Sequence, residues 1–290
     1  SSGALSGELS GASYTQFIAA ALRKDFATGV TTGALTTVSV TESAGVSTFT
    51  RSAGSYITDG FKVGDVVTSA GFVAGANNGL FVIVALTATV MTIEHFDEGG
   101  TLTAVSAGTS VSIVVGGKKT IVPSTGHTDD SFTAEEWFPD SVISRTFLGL
   151  QVEGMNVNIS PNSMATVDFN FMGKDAEAAT GAAYFTSPTA QGVTPVYSGE
   201  GGLLIINGIA SRNVTSLSLS LANNIQHEGI IGSNAVGAKS RGKVEVTLSG
   251  SAIFADSAML GYFDNETEIS VTYALLSRWN RRIFDDNASR

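Results

Sequence analysis

The sequence contains no cysteine. That absence removes disulfide frameworks, thiolate metal centres and cysteine nucleophiles together, and assigns no compartment. Charge is scarce as well: Asp, Glu, Lys and Arg make up 14% of the 290 residues, against roughly 25% in an ordinary soluble domain. Cations are the scarcer sign, 16 Lys and Arg against 26 Asp and Glu, for a net charge of −10. A conventional DNA-binding surface needs clustered Lys and Arg to release counterions, so that class is excluded. No run of about 18 apolar residues occurs, which excludes a transmembrane helix. Ser1-Ser2-Gly3-Ala4 offers neither a basic nor an apolar leader, so no signal peptide is expected.

What is present is small and polar without charge: 33 Gly, 34 Ser and 31 Thr. That composition argues against a helical bundle, yet 43% hydrophobic residues suffice for a sizeable core. Hydroxyl and amide groups wet such a surface in place of charge, and part of it is expected to be covered by copies of the same chain.

A weak strand spans 4–10, followed by the clearest helix. Ser13 is placed as its N-cap with Gln16 at capping-box spacing. Tyr14, Phe17, Ile18, Ala21 and Leu22 fall on one face, and Gly29 is read as the stop of a helix of about four turns. Residues 30–122 then change grammar. Strand-like runs at 35–41, 46–51, 61–68, 80–86, 90–94, 109–115 and 118–122 are separated by turn signals such as Asp59-Gly60 and Asn77-Asn78-Gly79. Leu80–Leu86 is apolar throughout, so both faces of that strand are expected to be buried. These features predict an inserted small all-β, barrel-like module at 30–122, with 1–29 and 123–290 forming the remaining core domain. Residues 124–139 read as an acidic connector.

Beyond the connector the pattern becomes regular. Met155, Val157 and Ile159 alternate with Asn156, Asn158 and Ser160. After Pro161-Asn162-Ser163, Val167, Phe169 and Phe171 alternate with Thr166, Asp168 and Asn170. This is a hairpin with one apolar and one polar face. The same grammar returns: Leu217, Leu219 and Leu221 against Ser216, Ser218 and Ser220, then Val244, Val246 and Leu248 against Lys243, Glu245 and Thr247. Two matching hairpins suggest an internal duplication. The loop of the second, 222–242, is far longer than a hairpin needs. It carries Ile225, Ile230, Ile231, Ala235 and Val236, apolar residues that ask for a covering partner. It is therefore expected to be mobile in a single subunit and to clasp a neighbouring subunit or ring. A last strand is expected at 269–273, before Arg278, Arg281 and Arg282.

Chemistry is hard to find. His95, His127 and His227 lack ligand spacing, and no nucleophile constellation accompanies them. Asp129, Asp130, Glu135 and Glu136 lack the calcium-loop pattern and read as a solvated connector. Gly199-Glu200-Gly201-Gly202 has no following Lys-Ser/Thr, which excludes a phosphate loop. No enzyme, metal site or cofactor is expected.

Four stretches nevertheless resemble one family: Ser6-Gly7-Glu8-Leu9-Ser10 leading into Tyr14–Phe26; Phe61-Lys62-Val63-Gly64-Asp65-Val66-Val67; Asn77-Asn78-Gly79; and Phe147–Lys174, with Met164-Ala165-Thr166-Val167-Asp168-Phe169 and Phe171-Met172-Gly173-Lys174. In order and spacing they resemble the major tail tube proteins of long, flexible-tailed bacteriophages, over nearly the whole chain. The resemblance implies a mainly β, tail-tube-type sandwich or barrel with the two duplicated hairpins and one flanking helix. The separate turn grammar of 30–122 and its position between the helix and the hairpins lead to the expectation that the module decorates the outside of the tube. The resemblance also implies a structural virion protein, assembled in the host cytoplasm, whose hexameric rings stack into a conduit for ejected DNA. Its partners would be itself, the tape measure protein and DNA transiently in the lumen, and tail terminator and baseplate proteins at the tube ends, with no membrane insertion. On this reading the lumen is lined by Asn156, Asn158, Ser160, Thr166, Asp168, Asn170, Ser216, Ser218, Ser220, Glu245 and Thr247, and Ile225, Ile230, Ile231 and Val236 serve the inter-ring loop. Four strands from each of six copies give 24 strands, a backbone diameter of roughly 48 Å and a lumen of roughly 38 Å, wide enough for a duplex of about 20 Å. Two rivals share the composition. A secreted β-sandwich adhesin or carbohydrate-binding module gives no reason for duplicated hairpins, and an outer-membrane barrel needs longer strands and aromatic girdles.

Overall fold

A computed structural model describes residues 2–97, 99–107, 110–116, 125–177, 179–190, 192–233, 236–253 and 258–277. The chain divides into two compact units. The first is built from Ser1–Phe26, Thr120–Glu200 and Thr215–Ser251, the second from Ala27–Lys119, Gly201–Val214 and Ala252–Arg290.

The chain opens with β1 (Ser2–Glu8) and α1 (Thr15–Leu22). The helix is shorter than its periodicity suggested. Ser13 does not cap it: Tyr14 is the N-cap residue, with no side-chain cap, and the Ser13 hydroxyl instead bonds that of Ser10 at 2.6 Å. Arg23 ends it by turning left-handed (φ 55°), its N–H and that of Lys24 closing on Ala20 and Ala19. Six residues that could have continued the helix are thereby left outside it. The predicted apolar face is otherwise the one that packs, with Ala20 and Ala21 buried and Tyr14, Phe17, Ile18 and Leu22 against the same core.

The second unit follows. Its six-stranded antiparallel sheet comprises β2 (Val38–Ser43), β3 (Val46–Arg51), β4 (Val66–Ala70), β5 (Gly79–Leu86), β6 (Val90–His95) and β7 (Ser112–Val115), in the order β2-β3-β6-β5-β4-β7, with α2 (Tyr56–Asp59) between β3 and β4. Val38, Phe49, Tyr56, Phe81, Ile83, Met91 and Ile113 fill the core. The continuous apolar run of β5 is buried on both faces, as expected: Phe81 and Ile83 enter this core, while Val82 enters a second one with Leu203, Ile205 and Ala274. That second core draws on segments far beyond residue 122. Asn77 and Asn78 act through their side chains. Asn77 exchanges hydrogen bonds with the Thr103 backbone at 2.8 and 2.9 Å, and Asn78 does so with Phe72 at 2.9 and 2.8 Å. The strand predicted at 118–122 lies outside the described residues.

The rest of the chain supplies β8 (Phe132–Phe138), β9 (Ile143–Ile159), β10 (Thr166–Met172), β11 (Asp175–Ala176), β12 (Tyr197–Ile206), β13 (Ile209–Ser211), β14 (Val214–Ala222), β15 (Ile225–Gly229), β16 (Val236–Arg241), β17 (Glu245–Ala252), α3 (Ala258–Asp264) and β18 (Val271–Ser277). In the first unit a sheet runs β1-β10-β9-β14-β17, with β8 and β11 also on β9. In the second, β12 lies between β13 and β18. Three expectations change here. The second half of the connector is strand β8, paired with β9 from Phe132 to Phe138. The long loop 222–242 contains the hairpin β15–β16, with Ile225 opposite Arg241. The last strand begins two residues later than read, at Val271.

Both sequence hairpins are present, β9 against β10 and β14 beside β17, and their first strands pair with each other. Beneath them Phe17 meets Phe132, Phe169 and Phe171 with ring centroids 5.0, 5.5 and 5.3 Å apart. Asn223, 1% exposed, ties helix to sheet by donating to the carbonyls of Ala21 and Val152, each at 3.1 Å.

Candidate conduit face

Antiparallel partners share a face, so the registers of β1, β10, β9 and β14 assemble the polar residues into rows. Ser6 lies opposite Asp168, Asp168 opposite Asn156, and Asn156 opposite Ser220. The next row is Glu8, Thr166, Asn158 and Ser218, closed by a hydrogen bond from the Ser218 hydroxyl to Asn158 Oδ1 at 2.7 Å. A third row pairs Asn170 with Gly154, where a side chain would approach the Leu221 carbonyl to 3.2 Å. The reverse face carries Met155, Val167, Phe169 and Leu221, all buried under α1. Alternation alone therefore sorts the sheet into a hydrophobic side and a hydroxyl-and-amide side whose only charges in these rows are acidic.

The remaining predicted positions divide. Ser216 continues the Ser218 and Ser220 side of β14. Ser160 lies outside the ladder, in the exposed turn after β9, where its carbonyl accepts from the Ser163 hydroxyl at 3.1 Å. Glu245 and Thr247 are exposed on β17. Val244 packs against the core, so strand alternation sends Val246 and Leu248 to the core side and Glu245 and Thr247 to the polar side.

The loop residues also separate. Ile225 is 3% exposed, inside its own subunit, whereas Ile230 and Ile231 stand out at the hairpin tip. Val236 is half-buried and its N–H donates to the Lys174 carbonyl at 3.3 Å. Ala235 lies outside the described residues, as do Arg278, Arg281 and Arg282. The hairpin base is held by charge: Asp129 accepts from Arg23 at 3.1 Å and from Arg241 at 3.0 Å. Burial pulls the Arg241 guanidinium below its ordinary pKa, an effect that Asp129 opposes.

The acidic connector is thus split between two structural tasks. Glu135 takes the other, accepting from the Ser144 hydroxyl at 2.5 Å and from the N–H groups of Tyr184 and Phe185 at 2.7 and 2.9 Å. Those bonds, the Ser144 hydroxyl first, hold its carboxyl below the usual range. Among the described residues no group of three or more His, Asp or Glu could hold a metal ion, and no helix is long and apolar enough to cross a membrane. Sequence reading missed Ser6 and Glu8 as members of the rows, although the alternation of 4–10 carried that signal.

The sheet is thus hydrophobic on one face and carries hydroxyls, amides and the carboxylates of Glu8 and Asp168 on the other. Residues 1–277 match the phage tail tube protein family, and the chain belongs to that family. It is a structural component of the virion tail, of a kind that assembles with itself into a tube. No curated protein matches the chain.

Proposed function

We propose that this chain is the major tail tube subunit of a long, flexible-tailed phage. Six copies close into a ring, the rings stack, and the polar rows line a conduit through which genome DNA is ejected. The tape measure protein occupies that lumen before DNA does, and terminator and baseplate proteins meet the tube ends. Subunits assemble in the host cytoplasm, and residues 30–122 decorate the outer surface. Ile230 and Ile231, exposed at one hairpin tip, meet a neighbouring copy.

The observation that carries this reading is the ladder Asp168–Asn156–Ser220 with its neighbour Thr166–Asn158–Ser218. A duplex must slide along a conduit without sticking. A wall of hydroxyls, amides and a few carboxylates, with Lys243 the exception, offers phosphates few cations to release counterions against. Electron microscopy of the purified full-length protein tests the proposal. Sixfold rings or tubes with a lumen of roughly 38 Å, as 24 tilted strands require, are expected. Monomers at every concentration and salt would reject it.

A further inference from the structure

The two margins of the first unit's sheet are mismatched in a complementary way. At one margin β1 covers the edge of β10 with a weak strand, Ser2-Gly3-Ala4-Leu5-Ser6-Gly7-Glu8. Such residues have little β preference and little side chain to bury. Under β1 lies an open apolar cleft of about 310 Å³, lined by Gly3 and Leu5 and by Phe17, Phe132, Phe147 and Phe171. Leu5 is still 41% exposed, and a Cβ added to Gly3 would meet nothing within 4 Å. The aromatic core is therefore underfilled at this edge.

At the other margin β17 has the opposite problem. Each of its residues Glu245–Ala252 is exposed, including Val246 at 56% and Leu248 at 43% on the core-facing side. These are large apolar groups with nothing to cover.

Strand direction makes the exchange possible. Beta strand β1 is antiparallel to β10, β10 to β9 and β9 to β14. The 2.8 Å bond from Gly242 N–H to the Asn224 carbonyl and the 3.1 Å bond from Thr215 to the Ser251 carbonyl, at opposite ends, set β17 antiparallel to β14. Hence β1 and β17 run the same way, over 7 and 8 residues. Rotation about a ring axis preserves that direction, so β17 of one copy reaches β10 of the next with the polarity β1 has.

We propose that β1 is a placeholder, and that the edge of β10 is the docking surface for β17 of a second copy. On assembly the incoming strand displaces β1, seats Val246 and Leu248 over the phenylalanine cleft, and continues the polar rows with Glu245 and Thr247. Until then β1 blocks an edge that would otherwise pair indiscriminately. This inference rests on the ring reading above. It also returns each copy's contribution to the four strands β10, β9, β14 and β17.

The cysteine-free chain permits a clean test on the full-length protein. Ser2 and Met172 are direct partners across β1 and β10, so Ser2→Cys with Met172→Cys locks β1 in place when oxidised. Oxidised protein should form no rings or tubes, and reduction should restore assembly to the wild-type rate. Independently, Val246→Ser with Leu248→Ser should keep the wild-type melting temperature and slow assembly at least tenfold. Gly3→Val, which fills the cleft from β1, should raise the melting temperature and slow assembly. Locked protein that assembles as fast as wild type, or serine variants with unchanged kinetics, would overturn the exchange alone. Wild-type protein that never assembles would overturn the ring reading and this one with it.

Discussion

The two sheets of this protein treat their edges differently. In the six-stranded sheet of the second unit both outer strands are covered by segments of the same unit. Val40 on β2 exchanges bonds of 2.8 and 3.0 Å with Val105, and Val111, leading into β7, exchanges bonds of 2.7 and 2.8 Å with Leu35. Further along β7, Val115 donates to the Val30 carbonyl at 2.7 Å. In the first unit β17 is exposed from end to end, and β1 is a thin cover over an underfilled core. An edge is a liability unless it is paired, and an opportunity where copies must join. The outer strands of one sheet are paired within their own unit, while the other sheet ends in a strand exposed along its whole length.

If the closed sheet stands on its own core, breaking that core should leave the open sheet intact. Phe49, 0% exposed, stacks on Phe72 at 5.5 Å and meets Phe81 edge-on at 5.6 Å. Phe49→Ala should cost about 3–5 kcal/mol in transfer and cavity terms. Hydrogen exchange should accelerate across β2–β7 while β9 and β10 keep their protection. Equal acceleration in both sheets would show one cooperative structure.

The open sheet depends more on a single polar tie. Asn223→Ala leaves the Ala21 and Val152 carbonyls without the side-chain amide that joins them. A buried bridging amide of this kind contributes about 2–3 kcal/mol, to be read from the urea midpoint. The surface network at Asp129 should matter less. Its side chain is 56% exposed, so Asp129→Ala should cost about 1 kcal/mol or less. Its sharper signature is local: amide protection at Ile225–Arg241 should fall, because Arg241 loses its partner.

The contrast between the sheets also governs what could be read in advance. Alternation locates β10, β14 and the Met155–Ile159 end of β9 and sorts their faces, because a period of two survives wherever one side is buried; the Ile143–Gly154 part of β9 is not found by it. It failed where side chains obey other demands. In Phe132–Phe138 the two central glutamates look like a solvated connector, yet Glu135 holds the Tyr184–Phe185 backbone from within a strand. Periodicity overextends the helix: Arg23 turns left-handed, and its guanidinium bonds Asp129, more than a hundred positions away. The module boundary at 122 was drawn from turn grammar, whereas Val82 packs against Leu203, Ile205 and Ala274. Such distant partners leave no trace in a local pattern. The polar rows are the converse case: the sheet places side by side residues whose type was evident from the start.

The smallest effect per site falls on the open sheet's polar face. Asp168 is half-buried at the centre of its row, between Ser6 and Asn156. Asp168→Asn keeps size and hydrogen-bonding capacity, and should leave stability, assembly and ejection unchanged. Asp168→Lys places a cation at every copy around each ring. Each is worth under about 1 kcal/mol beside a phosphate at physiological salt, too little to trap DNA locally. Repeated along the whole tube, the attraction becomes friction. Tails carrying Asp168→Lys should reach normal length yet eject DNA slowly, with added salt relieving the defect because screening shortens the reach of each cation. Wild-type ejection kinetics at low salt, from correctly assembled Asp168→Lys tails, would mean that this face does not meet the DNA, and the hydrophobic-backed sheet would then have to present another surface to the lumen.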